Sequence, residues 1–146
     1  MESLAATFVA AGIRCEAVQS LTRVLWMKLV WNIPFNGLAI TEGGVDTSQL
    51  LGALNKEEEI RSLMHEVIRV ANALGLSLSD SLVDQQIELT RPMQSYRPSS
   101  MIDFVEGREV EFNAIWELPL QKANELSVDV PSLELLVEKL NKVLKV

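Results

Sequence analysis

Cysteine and histidine are almost missing from this chain, with Cys15 and His65 the single example of each in 146 residues. One cysteine permits no internal disulfide, which fits a reducing compartment. Cys15 has no basic neighbour other than Arg14 and is expected to be a small buried residue. No cluster of cysteines or carboxylates at metal-ligand spacing accompanies His65, so it is expected on the surface or at its boundary, with no metal bound. Alternating runs of β-branched residues are also lacking, and with them the signature of strands. The N-terminus, M-E-S-L-A-A-T-F-V-A-A, has no positive region of the kind that opens a signal peptide. Basic residues are outnumbered: the net charge is −7 and the isoelectric point near 4.7, which disfavours nucleic acid or an anionic membrane as partner. A soluble, cytoplasmic domain is expected.

What is present is helix. The chain is 48% hydrophobic and 23% charged, the balance of a globular protein, and its length suits one domain over 1–146. Residues 57–74 place Ile60, Leu63, Met64, Val67, Ile68, Ala71 and Leu74 on one helical face. Asn55 with Glu58 resembles a capping box, Glu57 to Glu59 suit a helix N-terminus, and Gly75 a stop. Residues 131–144 repeat the pattern behind Pro131. A helix over 109–126 is expected to bend or break at Pro119, and shorter ones fit 81–90 and 2–10. Loops are expected at 41–55, 75–80 and 91–99. The fold class is all-α.

Two segments stand out. In V-L-W-M-K-L-V-W-N-I-P-F-N-G-L-A-I, from Val24 to Ile40, the residues Lys28, Asn32 and Asn36 follow one another at i, i+4 steps. On a helix they form one stripe, which also holds Leu21, Leu25 and Leu29 and should therefore face a core. A helix apolar all round is normally buried, and a buried lysine without a partner is costly. The stripe reads either as the wall of a site or as a lysine snorkelling to solvent with asparagines capping a break at Pro34. A membrane span is disfavoured by Lys28, Pro34 and both asparagines. The other segment, Y-R-P-S-S-M-I-D-F-V-E-G-R-E-V-E, carries a helix start at Pro98-Ser99, a stop at Gly107, and Glu111 in the first turn of the next helix. Trp26, Trp31 and Trp116 are expected as core or interface anchors.

Together, W-M-K-L-V-W-N-I-P-F-N and P-S-S-M-I-D-F-V-E-G-R-E-V-E-F-N-A-I resemble the C-terminal domain of ketopantoate reductases, whose pattern is approximately W-x-K-x-x-x-N-x-x-x-N, then S-x-x-x-D and G-R-x-x-E. The resemblance covers essentially the whole chain. It implies a multi-helix domain like that of 6-phosphogluconate dehydrogenase-like reductases, built around a long buried helix. It implies reduction of 2-dehydropantoate to pantoate with NADPH, on the route to pantothenate. By position, Lys28 matches the general acid and Glu111 the glutamate near the substrate hydroxyl. Asn32 and Asn36 match asparagines that orient substrate and lysine. Ser99 matches the serine that contacts the substrate carboxylate, with Ser100 as the alternative. A pairing of Lys28 with Glu111 is expected, because a facing carboxylate would offset burial of the lysine.

The dinucleotide site of such enzymes is missing: the seven glycines include no G-x-G-x-x-G, so no cofactor-binding residue is expected in this chain. The chain then resembles the C-terminal half of a reductase, without its N-terminal nucleotide-binding domain and inactive alone. The expected partners are a small 2-oxo acid, a nucleotide-binding domain in cis or in trans, and a second copy in a homodimer. A stand-alone helical module for a small acid or for dimerisation, and half of a reductase for another 2-oxo acid, remain as alternatives.

Overall fold

The long apolar segment forms the axis of the fold. In the computed structural model, which describes residues 2–15 and 17–145, Leu21–Thr41 is one helix, α2, following α1 (Glu2–Ala10). Ser20 starts it, its Oγ accepting the Arg23 N–H at 3.2 Å. Pro34 neither breaks nor ends it. Polar groups gather around the proline: the Trp116 indole N–H donates to the Ile33 carbonyl at 3.0 Å, and the Asn36 amide to the Asn32 carbonyl at 3.2 Å.

Burial along α2 is uneven. Ile33 to Ile40 are buried without interruption, but Leu21 is 68% and Leu25 51% exposed, Leu29 is half-buried and Lys28 is exposed. The stripe expected to face a core therefore starts in solvent and enters the interior only at Asn36. The helix is buried all round over its C-terminal half only; Trp26 and Val30 are buried before it, while Lys28 stays exposed beside the exposed Leu21 and Leu25.

The remaining helices are α3 (Thr47–Gly52), α4 (Lys56–Ala73), α5 (Ser81–Thr90), α6 (Ser99–Val105), α7 (Leu118–Glu125) and α8 (Pro131–Leu144), and there is no strand among the described residues. Helix α2 packs against α4, α6 and α8. Its Val30, Ile33, Phe35 and Leu38 join Ile60, Met64 and Val67 of α4, Leu133, Leu136 and Leu140 of α8, and Trp116. Gly37 permits the approach of α2 to α8: a Cβ there would lie 2.8 Å from Leu136 Cδ2 and 2.9 Å from the indole nitrogen of Trp116.

Local departures from the expected pattern have physical causes. Asn55 adopts a left-handed φ of 63° and makes no side-chain cap, so the expected capping box is absent. The acidic first turn of α4 is held by cations instead, Glu57 by Arg61 and Arg91, and Glu59 by Lys56 and Lys139. Of the expected bend or break at Pro119, the break is absent. A π-helical turn at Asn113–Glu117 comes just before it, with the Leu118 N–H donating to the Asn113 carbonyl, and Pro119 sits in the first turn of α7. That helical run begins at Phe112, so residues 109–111 are not part of it. The expected loop 41–55 contains α3, started by an Asp46–Gln49 capping box, and the expected loop 91–99 contains a 3₁₀ turn at Arg91–Met93. Leu74 is 37% exposed, off the buried face of α4, and Cys15 is half-buried rather than buried.

A candidate substrate cleft beside Lys28

Leu21, Leu25 and Lys28 lie on one exposed face of α2. A cleft of about 530 Å³ lies between this helix and α5 with the segment after it. Its walls are mostly apolar: Val24, Met27 and Trp31 from α2, Leu89 from α5, then Met93 and Tyr96. Lys28, Asn32 and Gln86 supply the polar groups. Trp31 is fixed by three contacts. Its ring stacks on Phe35 with centroids 4.8 Å apart, the Tyr96 ring meets it edge-on at 6.0 Å, and its indole N–H donates to Thr90 Oγ1 at 2.8 Å.

Lys28 makes no hydrogen bond or ion pair among the described residues, and the Asn32 side chain is half-buried at the same cleft. Asn36 lies one turn deeper, 1% exposed, and its carboxamide is engaged with backbone: Oδ1 accepts the Ser100 N–H at 2.9 Å. The N-terminal turn of α6 is thereby tied to α2. Ser100 is buried, whereas the neighbouring Ser99 is exposed.

Glu111 stands elsewhere. It is exposed and lines a second cleft of about 710 Å³, with Phe104, Glu109, Phe112, Glu117 and Val143. The two clefts share no lining residue, and the expected Lys28–Glu111 pair does not form. Both side chains are exposed, so the desolvation that would call for pairing is missing. His65 is also exposed, with Nδ1 3.8 Å from Asp80 Oδ1, and no group of three potential metal ligands occurs among the described residues.

Lys28 is the one charged residue that lines this cleft. Of 13 lysines and arginines, Lys56, Arg61, Arg69, Arg91, Arg108, Lys122, Lys139 and Lys142 each have a carboxylate partner. Arg14, Arg23, Lys28, Arg97 and Lys145 have none among the described residues, and of these only Lys28 lines the cleft. The lining aromatics and Gln86 were not legible as site residues. Only the three-residue step from Lys28 to Trp31 hinted at a shared surface.

This geometry coincides with similarity to known proteins. The family model "Ketopantoate reductase PanE/ApbA C terminal" matches residues 20–144. A 2-dehydropantoate 2-reductase from Nostoc sp. is 35% identical over 140 residues, covering 96% of this chain and 44% of the relative. The crystal structure of a 2-dehydropantoate 2-reductase from Geobacter metallireducens superposes with a TM-score of 0.90 at 39% identity, covering 97% of this chain and 47% of that one. That of the Methylococcus capsulatus enzyme gives 0.90 at 33%, covering 99% and 46%. The chain thus spans a little under half the length of the relatives it matches. With its all-helical fold and its K-x-x-x-N-x-x-x-N helix, the chain belongs to the ketopantoate reductase C-terminal domain family.

Proposed function

We propose that this chain is the substrate-binding, lysine-bearing half of an NADPH-dependent 2-dehydropantoate 2-reductase, acting in the cytoplasm on the route to pantothenate. The observation that carries the proposal is the position of Lys28 and Asn32 at one cleft, with the lysine uncommitted to any carboxylate. Converting a 2-oxo acid to a 2-hydroxy acid requires a proton at the former carbonyl oxygen. A protonated lysine within hydrogen-bond reach supplies it and stabilises the charge that develops there. Asn32 offers a neutral donor and acceptor beside it, and Asn36 holds the Ser99–Ser100 turn in register with the same helix. Glu111 lines the other cleft.

The residues present do not fit NADPH. No strand occurs among the described residues, and the sequence has no glycine-rich nucleotide loop, so the reductant must be held by a nucleotide-binding domain in cis or in trans. The apolar residues exposed on α1 and at the start of α2 also support self-association, and a homodimer is expected. Sedimentation at a monomer mass throughout a concentration series contradicts the dimer.

The role of Lys28 is tested by Lys28→Ala in the chain complemented with a nucleotide-binding half. Loss of a positioned general acid is expected to lower kcat by about 10²–10⁴-fold. A kcat unchanged by the substitution rejects the assignment. The largely apolar walls at Trp31, Leu89 and Met93 favour a second reading for the substrate alone, a 2-oxo acid with a larger apolar side chain. A higher kcat/KM for such an acid than for 2-dehydropantoate would establish it.

A further inference from the structure

We infer that Thr90 is a positioning residue for the Lys28 cleft, its hydroxyl fixing the Trp31 indole as the apolar wall that the side chain of the substrate meets. The inference rests on the proposed 2-oxo acid reduction. It adds to that reading a residue that acts through another, since Thr90 does not itself line the cleft.

Trp31 comes three residues after Lys28 and directly before Asn32, and all three line the cleft. Its indole is half-buried, so the ring N–H is satisfied either by the protein or by water in the cleft, and that choice decides where the ring lies. The protein supplies the partner: Thr90 Oγ1, on a residue 1% exposed, accepts the N–H at 2.8 Å. The hydroxyl proton is itself donated to the Gln86 carbonyl at 2.7 Å, which leaves the oxygen to act toward the indole as an acceptor. The fully buried Phe35 stacks beneath the ring and Tyr96 meets it edge-on, so the hydroxyl completes a three-sided seat. Thr90 is also the last residue of α5, and this is the one hydrogen bond between α5 and α2 among the described residues. It ties the α5 wall, with Gln86 and Leu89, to the α2 wall. Without the hydroxyl the indole N–H is orphaned at the edge of an open cleft. The ring then turns to reach water, and the space beside Lys28 and Asn32 changes shape.

The test is steady-state kinetics of the chain complemented with a nucleotide-binding half, with 2-dehydropantoate or whichever 2-oxo acid the unsubstituted pair reduces best. Thr90→Val keeps the shape of the side chain and removes the hydroxyl. It is expected to raise KM by about 10-fold, the scale of a small misfit in an apolar pocket, while kcat stays within about twofold because Lys28 is untouched. Thr90→Ser, which keeps the acceptor, should restore KM. A purely structural role gives the opposite split, since unfolding removes active protein and lowers apparent kcat without moving KM. Trp31→Phe supplies an independent check, because it has no N–H to orphan: in that background Thr90→Val should leave KM where Trp31→Phe alone puts it. An unchanged KM in Thr90→Val, no recovery in Thr90→Ser, or additive effects of the two substitutions overturns the positioning role and leaves the reductase assignment standing. Absence of turnover of any 2-oxo acid by the unsubstituted pair overturns the reductase assignment and the positioning role with it.

Discussion

At the scale of single residues, the buried polar groups tie distant elements of the domain together. Glu66 is 3% exposed on α4, and its carboxylate oxygens accept the N–H groups of Ser132 and Leu133 at 2.9 and 2.8 Å, closing the first turn of α8 from a distant helix. Position N2 and N3 donors normally find their acceptor on the N-cap residue, but that place is held by Val130, which has none. Glu66→Ala is therefore expected to cost about 2–4 kcal/mol, read as a lower midpoint in chemical denaturation. A midpoint that does not move would show that water replaces the carboxylate without loss. Asn36 also builds the domain, its buried amide linking the Lys28 helix to the start of α6 at Ser100.

At the scale of elements, the helices with regular apolar spacing were legible. The pattern over 57–74 corresponds to α4, that over 131–144 to α8, and 81–90 to α5, because a stripe at i, i+3, i+4 leaves few other ways to bury it. Helix α3 was not legible, being only 6 residues long and set by one capping box rather than by a period. The expectation that the Leu21–Leu25–Lys28 stripe faces a core fails for a deeper reason, whereas a lysine reaching solvent was the open alternative. A stripe of leucines says that some surface will cover it, but not that the surface belongs to the same chain. Nor does local spacing decide which distant carboxylate meets which cation, so the Lys28–Glu111 pair could not be judged from sequence. The ion pairs that do form link elements. Glu57 of α4 meets Arg61 on its own helix and Arg91 after α5, while Arg61 also meets Asp84 of α5 at 2.7 Å. Burial alone would raise the Glu57 pKa, but hydrogen bonds from Arg61 and Arg91 outweigh it and hold the carboxyl below its ordinary value. Glu59 is lowered likewise, its burial outweighed by Lys56 and Lys139. A folded-state pKa below the unfolded one gives stability that is complete above the unfolded value, about 4.3, and is lost as pH falls through the folded one. The melting temperature should thus decline as pH drops below about 4.3, and less steeply in Glu57→Gln. Equal slopes for the two proteins would remove Glu57 from the account.

At the scale of the whole molecule, part of the exposed apolar surface lies on the first two helices and around the cleft. Leu4, Phe8 and Val9 of α1, Leu21 and Leu25 of α2, and Leu89, Met93 and Tyr96 around the cleft are all exposed by more than two-fifths. The core below them is complete, with Ile33, Phe35, Leu38, Met64 and Trp116 fully buried. A chain that spans less than half of its relatives, with an uncommitted lysine in an open apolar cleft, is proposed to work as one side of a composite site. The most direct test is NADPH oxidation in the presence of 2-dehydropantoate, measured for the chain alone, for a nucleotide-binding half alone, and for the two together. Turnover in the mixture alone is the predicted result. Turnover by this chain on its own, or none in a mixture shown to associate, would contradict the account.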